Sequence, residues 1–260
     1  EMTSSLVGSE MCIRDRAEKY GVDTSDAAIR KAVAEHNEVC AIISEIGEMR
    51  KADNPVITGY EFHVLNLVSF TCPKQLILPY LRETLEELKT RKPDAKPPFR
   101  ARVAIVGSEI DDPNLTKLIE SCGALVVSDR YCFGSTPGRE IIHLRDDEDA
   151  LPQICLHIME HSECARYISD EKVQQRRDTA DRLAKEFHAD GIIYEQMKYC
   201  DYWGFERALV SHIMHEEYNW PVLSIDRLYN NGNSGQLRTR VQAFVESLEI
   251  KKLHKNGGAH

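Results

Sequence analysis

The sequence has no excess of positive charge and no long apolar run. Its 33 lysines and arginines stand against 42 aspartates and glutamates, which gives a formal net charge of -9 at pH 7. A surface that binds nucleic acid or an anionic membrane needs a basic face, so this balance argues against both partners. No run of about 18 apolar residues occurs, and we therefore expect no membrane span.

The sequence also lacks a Cys-x-x-Cys pair and the regular spacing of a disulfide framework. Its eight cysteines are scattered along 260 residues. A zinc site built from neighbouring residues and a small secreted disulfide-rich domain are therefore not expected. We expect reduced thiols in a cytoplasmic protein, most of them in the core. This spacing does not exclude an iron–sulfur cluster, because the cysteines that bind one can be far apart in sequence.

The first sixteen residues have no helix cap and no periodic apolar positions. Back-translation of residues 6–16 gives a nucleotide sequence that resembles a transposase adapter used in library preparation. We therefore interpret residues 1–16 as a non-native tail that does not pack on the core, with the coding sequence cut before Ala17. The alternative is an ordinary disordered N-terminal tail. The segment also lacks the apolar stretch of a secretory signal.

Residues 17–99 have the spacing of amphipathic helices. Apolar residues recur at three, four or seven positions after a capping sequence at residues 23–26, which predicts the first helix. Residues 60–70 predict a buried helix, although their valines and phenylalanines also suit a strand. A further helix begins at Pro73, and its core stripe is Leu76, Leu81, Leu85 and Leu88. The proline-rich segment 92–99 marks a boundary.

Residues 100–250 alternate short apolar runs with helical segments. This order predicts an α/β domain with an open, doubly wound, mostly parallel sheet of the Rossmann or flavodoxin type, covered by helices on both faces. Residues 251–260 are expected to form a disordered tail. Four runs predict strands of this sheet: residues 102–107, 124–128, 191–196 and 221–225. The first has the apolar character of a fully covered parallel strand.

Sheets of this kind bind ligands beyond the carboxyl ends of their strands. Ser108 and Glu109 follow the first predicted strand and are candidates for substrate contacts. The Gly-Ser-Glu sequence there lacks the second and third glycines of a dinucleotide fingerprint, so we reject a dinucleotide site. Cys132 follows the second strand, and Cys200 follows the third strand.

Cys200 precedes a helix that we expect Asp201 to cap. Amide groups and the positive end of a helix dipole favour the ionised form of a thiol, which is the form that a metal or cluster binds. The alternative is a buried structural cysteine. For Cys132 a structural role is favoured over a role as a ligand, and the ligand role stays doubtful. We expect core thiols at Cys40, Cys122 and Cys155.

Two histidine pairs have the spacing of metal ligands on helices. His157 and His161 are four residues apart but lack the glutamate of His-Glu-x-x-His, and His212 and His215 are three apart. We interpret both pairs as solvated helix faces.

Residues 234–240, Ser-Gly-Gln-Leu-Arg-Thr-Arg, predict a helix start that could hold a phosphate or another anion. Helix-start amides, Gln236 and Arg238 would provide the contacts, so both side chains are candidates for binding the substrate. The alternative is ordinary capping by Asn233 or Ser234.

Four segments together resemble the C-terminal half of the subunits of 2-hydroxyacyl-CoA dehydratases and benzoyl-CoA reductases. The specific part is the Lys-Tyr-Cys-Asp sequence at residues 198–201 combined with Gly-Gln-Leu-Arg-Thr-Arg at residues 235–240. The similarity extends from about Asn54 to Leu248. The four segments are residues 102–135, 188–206, 220–229 and 234–248.

The resemblance implies Rossmann-like α/β subdomains and one [4Fe–4S] cluster per full-length subunit, held by three cysteines. Cys200 is the last of these ligands, and the other two would come from an N-terminal domain that this chain lacks. Cys-Asp-Tyr stands here where relatives more usually have Cys-Asp-Pro, which leaves the ligand itself in place. Cys132-Phe-Gly replaces a frequent Cys-Thr-Gly, which leaves Cys132 in doubt.

The implied reaction is elimination of water from a 2-hydroxyacyl-CoA. The thioester does not acidify the β-hydrogen, so acid–base catalysis alone is insufficient. Members of the family receive one electron from a separate ATP-hydrolysing iron–sulfur activator. The cluster passes it to the thioester carbonyl, and the resulting ketyl radical expels hydroxide. Loss of a proton then gives the enoyl-CoA, and the electron is recovered.

The resemblance also implies a heterodimer with a homologous second subunit. We expect this fragment to be inactive alone. One alternative is a benzoyl-CoA reductase-type subunit that reduces an aromatic acyl-CoA. Others are a partner subunit that only relays electrons and a homologue that merely binds a ligand.

Overall fold

The computed structural model describes residues 2–93, 99–108, 110–135, 140–229 and 234–257. The candidate residue Glu109 lies outside these residues. None of the helices in the described part of the chain has the length and apolar character needed to cross a membrane. The helical region contains α1 (Met2–Tyr20), α2 (Asp26–Glu48), α3 (Gly59–Thr71) and α4 (Lys74–Thr90), with a 3-10 turn at Met49–Lys51.

Local capping determines where these helices begin. The Ser25 hydroxyl accepts a hydrogen bond from the Ala28 amide at the start of α2, at 3.3 Å. Thr58 and Glu61 form a capping box at the start of α3, so this segment is helical rather than extended. The helix α4 begins after Pro73, which has no amide hydrogen to leave unsatisfied.

The helical region has its own apolar core between α2, α3 and α4. The later leucines of the predicted stripe in α4 are buried, but Leu76 is 63% exposed. Ile77 and Leu78 point inward in its place. A helical face repeats every three or four residues, and Leu76 falls outside the arc that the buried residues define.

Four parallel strands form one sheet, as the sequence predicted. Their order is β2-β1-β3-β4, so the chain adds β2 on one side of β1 and then β3 on the other. The switch in direction therefore lies between β1 and β3. The strands are β1 (Ala101–Gly107), β2 (Ala124–Arg130), β3 (Gly191–Met197) and β4 (Val222–Arg227). The helices of this part are α5 (Asn114–Ser121), α6 (Ala150–His161), α7 (Asp170–Glu186), α8 (Asp201–Glu216) and α9 (Ser234–Gly257).

Helices cover both faces of the sheet. Val103 and Ile105 of β1 pack with α5 and α9 in one apolar cluster. Ala104 and Val106 of the same strand point to the other face and pack with α7 and α8. Every residue of β1 is buried, which explains why its sequence after Arg102 is apolar without alternation.

Both ends of the chain are more regular than the sequence indicated. Residues 2–16 belong to α1, which has no proline and places Ile13 at an apolar cavity shared with α2 and α6. Their non-native origin stays a prediction. The helix α9 continues to Gly257, past the expected end at residue 250. Lysines at 251 and 252 do not break a helix and suit its C-terminal end.

Buried polar contacts join the helical region to the sheet. An Arg50 guanidinium nitrogen lies 2.8 Å from an Asp129 carboxylate oxygen at the end of β2, and both side chains are 2% exposed. The Gly59 amide at the start of α3 donates to Glu120 of α5 at 2.8 Å. The helices before residue 93 therefore hold the carboxyl edge of the sheet in position.

Candidate functional site

A cavity of about 370 Å³ lies at the carboxyl edge of the sheet, next to the switch between β1 and β3. This is the place where open α/β sheets bind ligands. Ser108 after β1 and Cys132 after β2 line it, together with residues 197–203 after β3. Residues 164–166, from the loop between α6 and α7, complete the wall.

Cys200 is the N-cap residue of α8, a position that we had expected Asp201 to occupy. A tight turn brings it there, because its amide donates to the Met197 carbonyl at 3.1 Å and Tyr199 has a φ of 74°. The helix α8 therefore begins one residue earlier than the sequence suggested. The half-buried thiol therefore lies at the N-terminus of α8, beside the cavity.

Two further cysteines line the same cavity as Cys200. Cys132 comes from the end of β2, and Cys164 comes from the loop before α7. None of the chain's cysteines forms a disulfide. Sequence reasoning missed Cys164, because it follows a helix rather than a strand and has no cysteine near it in sequence. Three cysteines from distant parts of the chain thus line one cavity.

Buried charges hold the loop that carries Cys164. The Arg130 guanidinium lies 2.6 Å from the Glu163 carboxylate and donates to the Glu163 carbonyl at 2.6 Å. Arg176 of α7 donates to the carbonyls of Cys164 and Tyr167, at 3.3 and 2.7 Å. Arg176 also forms a buried ion pair with a glutamate of α8, Glu206. The loop is therefore anchored to β2, α7 and α8.

Ser108 links the ends of β1 and β3. Its hydroxyl donates to Glu195 at 2.8 Å and accepts from the Met197 amide at 2.7 Å. The Arg227 guanidinium lies 2.8 Å from the other Glu195 oxygen. Burial raises the pKa of Glu195 above its ordinary value, although Arg227 and Ser108 act in the opposite direction. Ser108 lines the cavity, but its hydroxyl is hydrogen-bonded to Glu195 and Met197. Ser108 is therefore a positioning residue.

Gly107 is required by the close approach of β1 and β3. A Cβ at this position would lie 2.5 Å from the Glu195 backbone oxygen. We expect Gly107→Ala to destabilise the fold by about 1–3 kcal/mol, because the strand ends must separate. Denaturant unfolding measures this loss. Gly235→Ala is the control, since nothing lies within 4 Å of its added methyl group; equal losses in both variants would contradict the prediction.

The start of α9 does not reach the cavity of Cys200. Gln236 is exposed, and neither it nor Arg238 lines that cavity. Arg238 donates to the Ser121 hydroxyl of α5 at 2.9 Å, so it joins two helices. Asn233, considered above as a cap, lies outside the described residues. A substrate role for Gln236 and Arg238 stays a prediction, and it would concern a part of the substrate away from the thiols.

The core cysteines occupy the places that the sequence indicated. Cys40, Cys122 and Cys155 are buried. Burial raises the pKa of both Cys122 and Cys155, which keeps these two thiols neutral and unreactive. Cys200 differs from them by its helix-start position and its access to a cavity.

Together these features define a doubly wound α/β protein with a thiol-lined cavity at its topological switch point. The chain belongs to the family described as 2-hydroxyglutaryl-CoA dehydratase, D-component, whose model matches residues 10–248. The family predicted from the sequence is thereby confirmed.

Two relatives are similar over most of this chain. The Escherichia coli K12 protein named "Putative dehydratase subunit YjiM" is 24% identical over 242 residues, which are 89% of this chain and 60% of that protein. The (R)-phenyllactyl-CoA dehydratase beta subunit of Clostridium sporogenes is 24% identical over 228 residues, 88% of this chain and 59% of that subunit. The chain thus spans about three fifths of the length of either relative.

Proposed function

We propose that this chain is the larger part of one subunit of an iron–sulfur 2-hydroxyacyl-CoA dehydratase, with Cys200 as a ligand of its [4Fe–4S] cluster. The observation that carries the proposal is the position of Cys200, at a helix start inside a thiol-lined cavity of a dehydratase-family chain. The substrate would be the CoA thioester of a 2-hydroxy acid, and water would be eliminated from it.

The donor set at the cavity suits such a cluster. Iron–sulfur clusters bind cysteine thiolates that come from distant parts of a chain. Cys132, Cys164 and Cys200 offer three thiols at one cavity. The family resemblance instead assigns the two other ligands to the upstream part of the subunit, and Cys200 belongs to both sets. A bound cluster would supply one-electron transfer to and from the thioester carbonyl.

The residues around Cys200 would orient the cluster and the substrate. Cys200 would hold the cluster at the start of α8, which is the positive end of the helix dipole. Arg166 and Lys198 line the same cavity and carry positive charge that fits the phosphates of a CoA group. Glu195 and Ser108 link the ends of β1 and β3 beside the cavity.

The printed names of the relatives favour dehydration over aromatic ring reduction. Both relatives are named as dehydratase subunits, and one acts in a complex named for (R)-phenyllactyl-CoA. "D-component" and "beta subunit" both imply a multisubunit enzyme. These names support a complex with a second subunit. Activation by a separate ATP-dependent iron–sulfur protein is proposed from the family resemblance alone.

The test is an anaerobic assay of the complete enzyme. A full-length subunit would be combined with its partner subunit, the activator, ATP and a reductant. We expect conversion of 2-hydroxyacyl-CoA thioesters to enoyl-CoA products, followed by mass spectrometry, and loss of turnover when ATP or the activator is omitted. Reduction of benzoyl-CoA without dehydration would assign the chain to the reductase branch. Absence of both reactions from a cluster-loaded complex would overturn the proposal.

A further inference from the structure

A second group of ligand-type side chains lies on α6, away from the cavity of Cys200. Glu140, His157 and His161 each place one possible metal-ligating atom within 4.8 Å of the others. The sequence showed the two histidines one helical turn apart but indicated no acidic partner. Glu140 supplies it from a segment that is 17 residues earlier than His157.

The ring nitrogens of His157 and His161 are arranged in a way that suits the binding of a cation. The imidazole rings of His157 and His161 are stacked, with centroids 4.2 Å apart and an angle of 25° between the rings. His161 Nδ1 lies 2.9 Å from the His157 carbonyl oxygen. Nδ1 donates in this bond, which leaves the lone pair on His161 Nε2, 3.5 Å from Glu140 Oε2.

The position of Glu140 is supported by its own neighbours. The Asn37 side chain of α2 donates to the Ile142 carbonyl at 2.9 Å and accepts from the Ile142 amide at 2.9 Å. This pair of bonds fixes the backbone two residues after Glu140.

We propose that Glu140, His157 and His161 bind a divalent transition-metal ion of the zinc class. Two imidazoles and one carboxylate are the donors that zinc accepts, and water would complete a tetrahedral site. Calcium and magnesium prefer oxygen donors throughout, so they do not fit this set. The bound ion would clamp the segment at Glu140 against α6.

This site is independent of the proposed dehydratase chemistry. It shares no residue with the cavity that contains Cys200. It lies instead beside an apolar cavity of about 510 Å³ between α1, α2 and α6. A metal here would therefore stabilise that side of the fold whether or not the chain binds an iron–sulfur cluster.

The experiment is a Co²⁺ and Zn²⁺ titration of the whole chain and its variants, with thiols kept reduced. We expect one Co²⁺ site whose visible bands lack the thiolate charge-transfer absorption that ions bound to cysteine give. Glu140→Gln should weaken Zn²⁺ binding at this site by at least about tenfold, since loss of a ligand costs no less than loss of its supporting contacts. His161→Asn should abolish it.

The matched control is His212→Asn combined with His215→Asn. This pair lies on α8, and although Glu216 lies 2.9 Å from His215, the described residues there include no group of three ligand atoms within 4.8 Å of one another, so removal of the pair should leave the affinity unchanged. Zinc at about 100 times the wild-type Kd should raise the thermal midpoint of the wild type by about 5 °C, and that of Glu140→Gln by no more than about half as much, because a tenfold larger Kd halves the stabilisation at this zinc concentration. Equal affinity in the wild type and Glu140→Gln would reduce the site to an adventitious histidine pair and overturn the proposal, as would the absence of binding.

Discussion

Arg50→Met is expected to lower the free energy of unfolding by about 3–5 kcal/mol, because it leaves the Asp129 carboxylate buried without its counter-charge. The two side chains are almost inaccessible to solvent and meet at 2.8 Å. The Arg50 guanidinium also lies 3.7 Å from the centre of the Phe62 ring, so the substitution removes a second contact. Urea unfolding at pH 7 measures the loss.

Two variants provide controls for this prediction. Arg82→Met breaks an ion pair with Glu38 on the exposed surface, and it should cost no more than about 1 kcal/mol. The double variant Arg50→Met with Asp129→Asn should recover part of the loss, since no charge then remains buried. If Arg50→Met cost as little as Arg82→Met, the buried pair would not hold the helical region to the sheet.

The pH dependence of the loss follows from Asp129. Burial alone would raise its pKa, but the Arg50 charge and hydrogen bonds from Ser135 lower the pKa below its ordinary value of 3.8. The stabilisation is therefore complete above pH 3.8 and is lost as the pH falls through the folded-state pKa. Without Arg50 that carboxyl is protonated more readily. We therefore expect Arg50→Met to lower the free energy of unfolding by less at pH 4 than at pH 7.

The sheet could be predicted because its evidence is local. The strands β1 and β2 are short, fully buried runs, and β3 is buried over its first five residues, so their apolar residues mark them in the sequence. The sequence placed Leu76 in the core stripe of α4, which was wrong. Because α4 contains several leucines, their spacing alone did not determine which side of the helix is buried. The helix α1 was missed because its apolar positions are few, and its contact with α6 depends on the tertiary fold.

The candidate sites could be predicted only in part. Cys200 was found because the end of a parallel strand is a known place for ligands. Cys164 and Glu140 could not be found in this way. Each lies in an irregular segment, and each reaches its neighbours through contacts far apart in sequence, such as those of Arg130 with Glu163 and of Asn37 with Ile142. No spacing pattern in the local sequence predicts contacts of this kind.

Replacement of Cys200 is expected to have the largest functional effect. In the full-length subunit, Cys200→Ala should lose the cluster and the dehydration activity together, because a thiolate at the start of α8 would be removed from a three-cysteine set. Anaerobic reconstitution with iron and sulfide should give about four iron atoms per wild-type subunit. Cys122→Ala is the matched control, since this buried thiol should leave iron content and activity unchanged.

The other two ligands are identified by the same reconstitution. We expect Cys132→Ala and Cys164→Ala to retain the cluster in the full-length subunit, and the present chain alone to hold none that is stable, because the family resemblance assigns those ligands to the upstream part. Because Cys132 and Cys164 line the same cavity as Cys200, the opposite result would be equally informative. Loss of the cluster in both variants, with uptake by this chain alone, would assign Cys132, Cys164 and Cys200 as the set. A stable, active cluster in Cys200→Ala would show that Cys200 is a structural thiol, and the central assignment would be wrong.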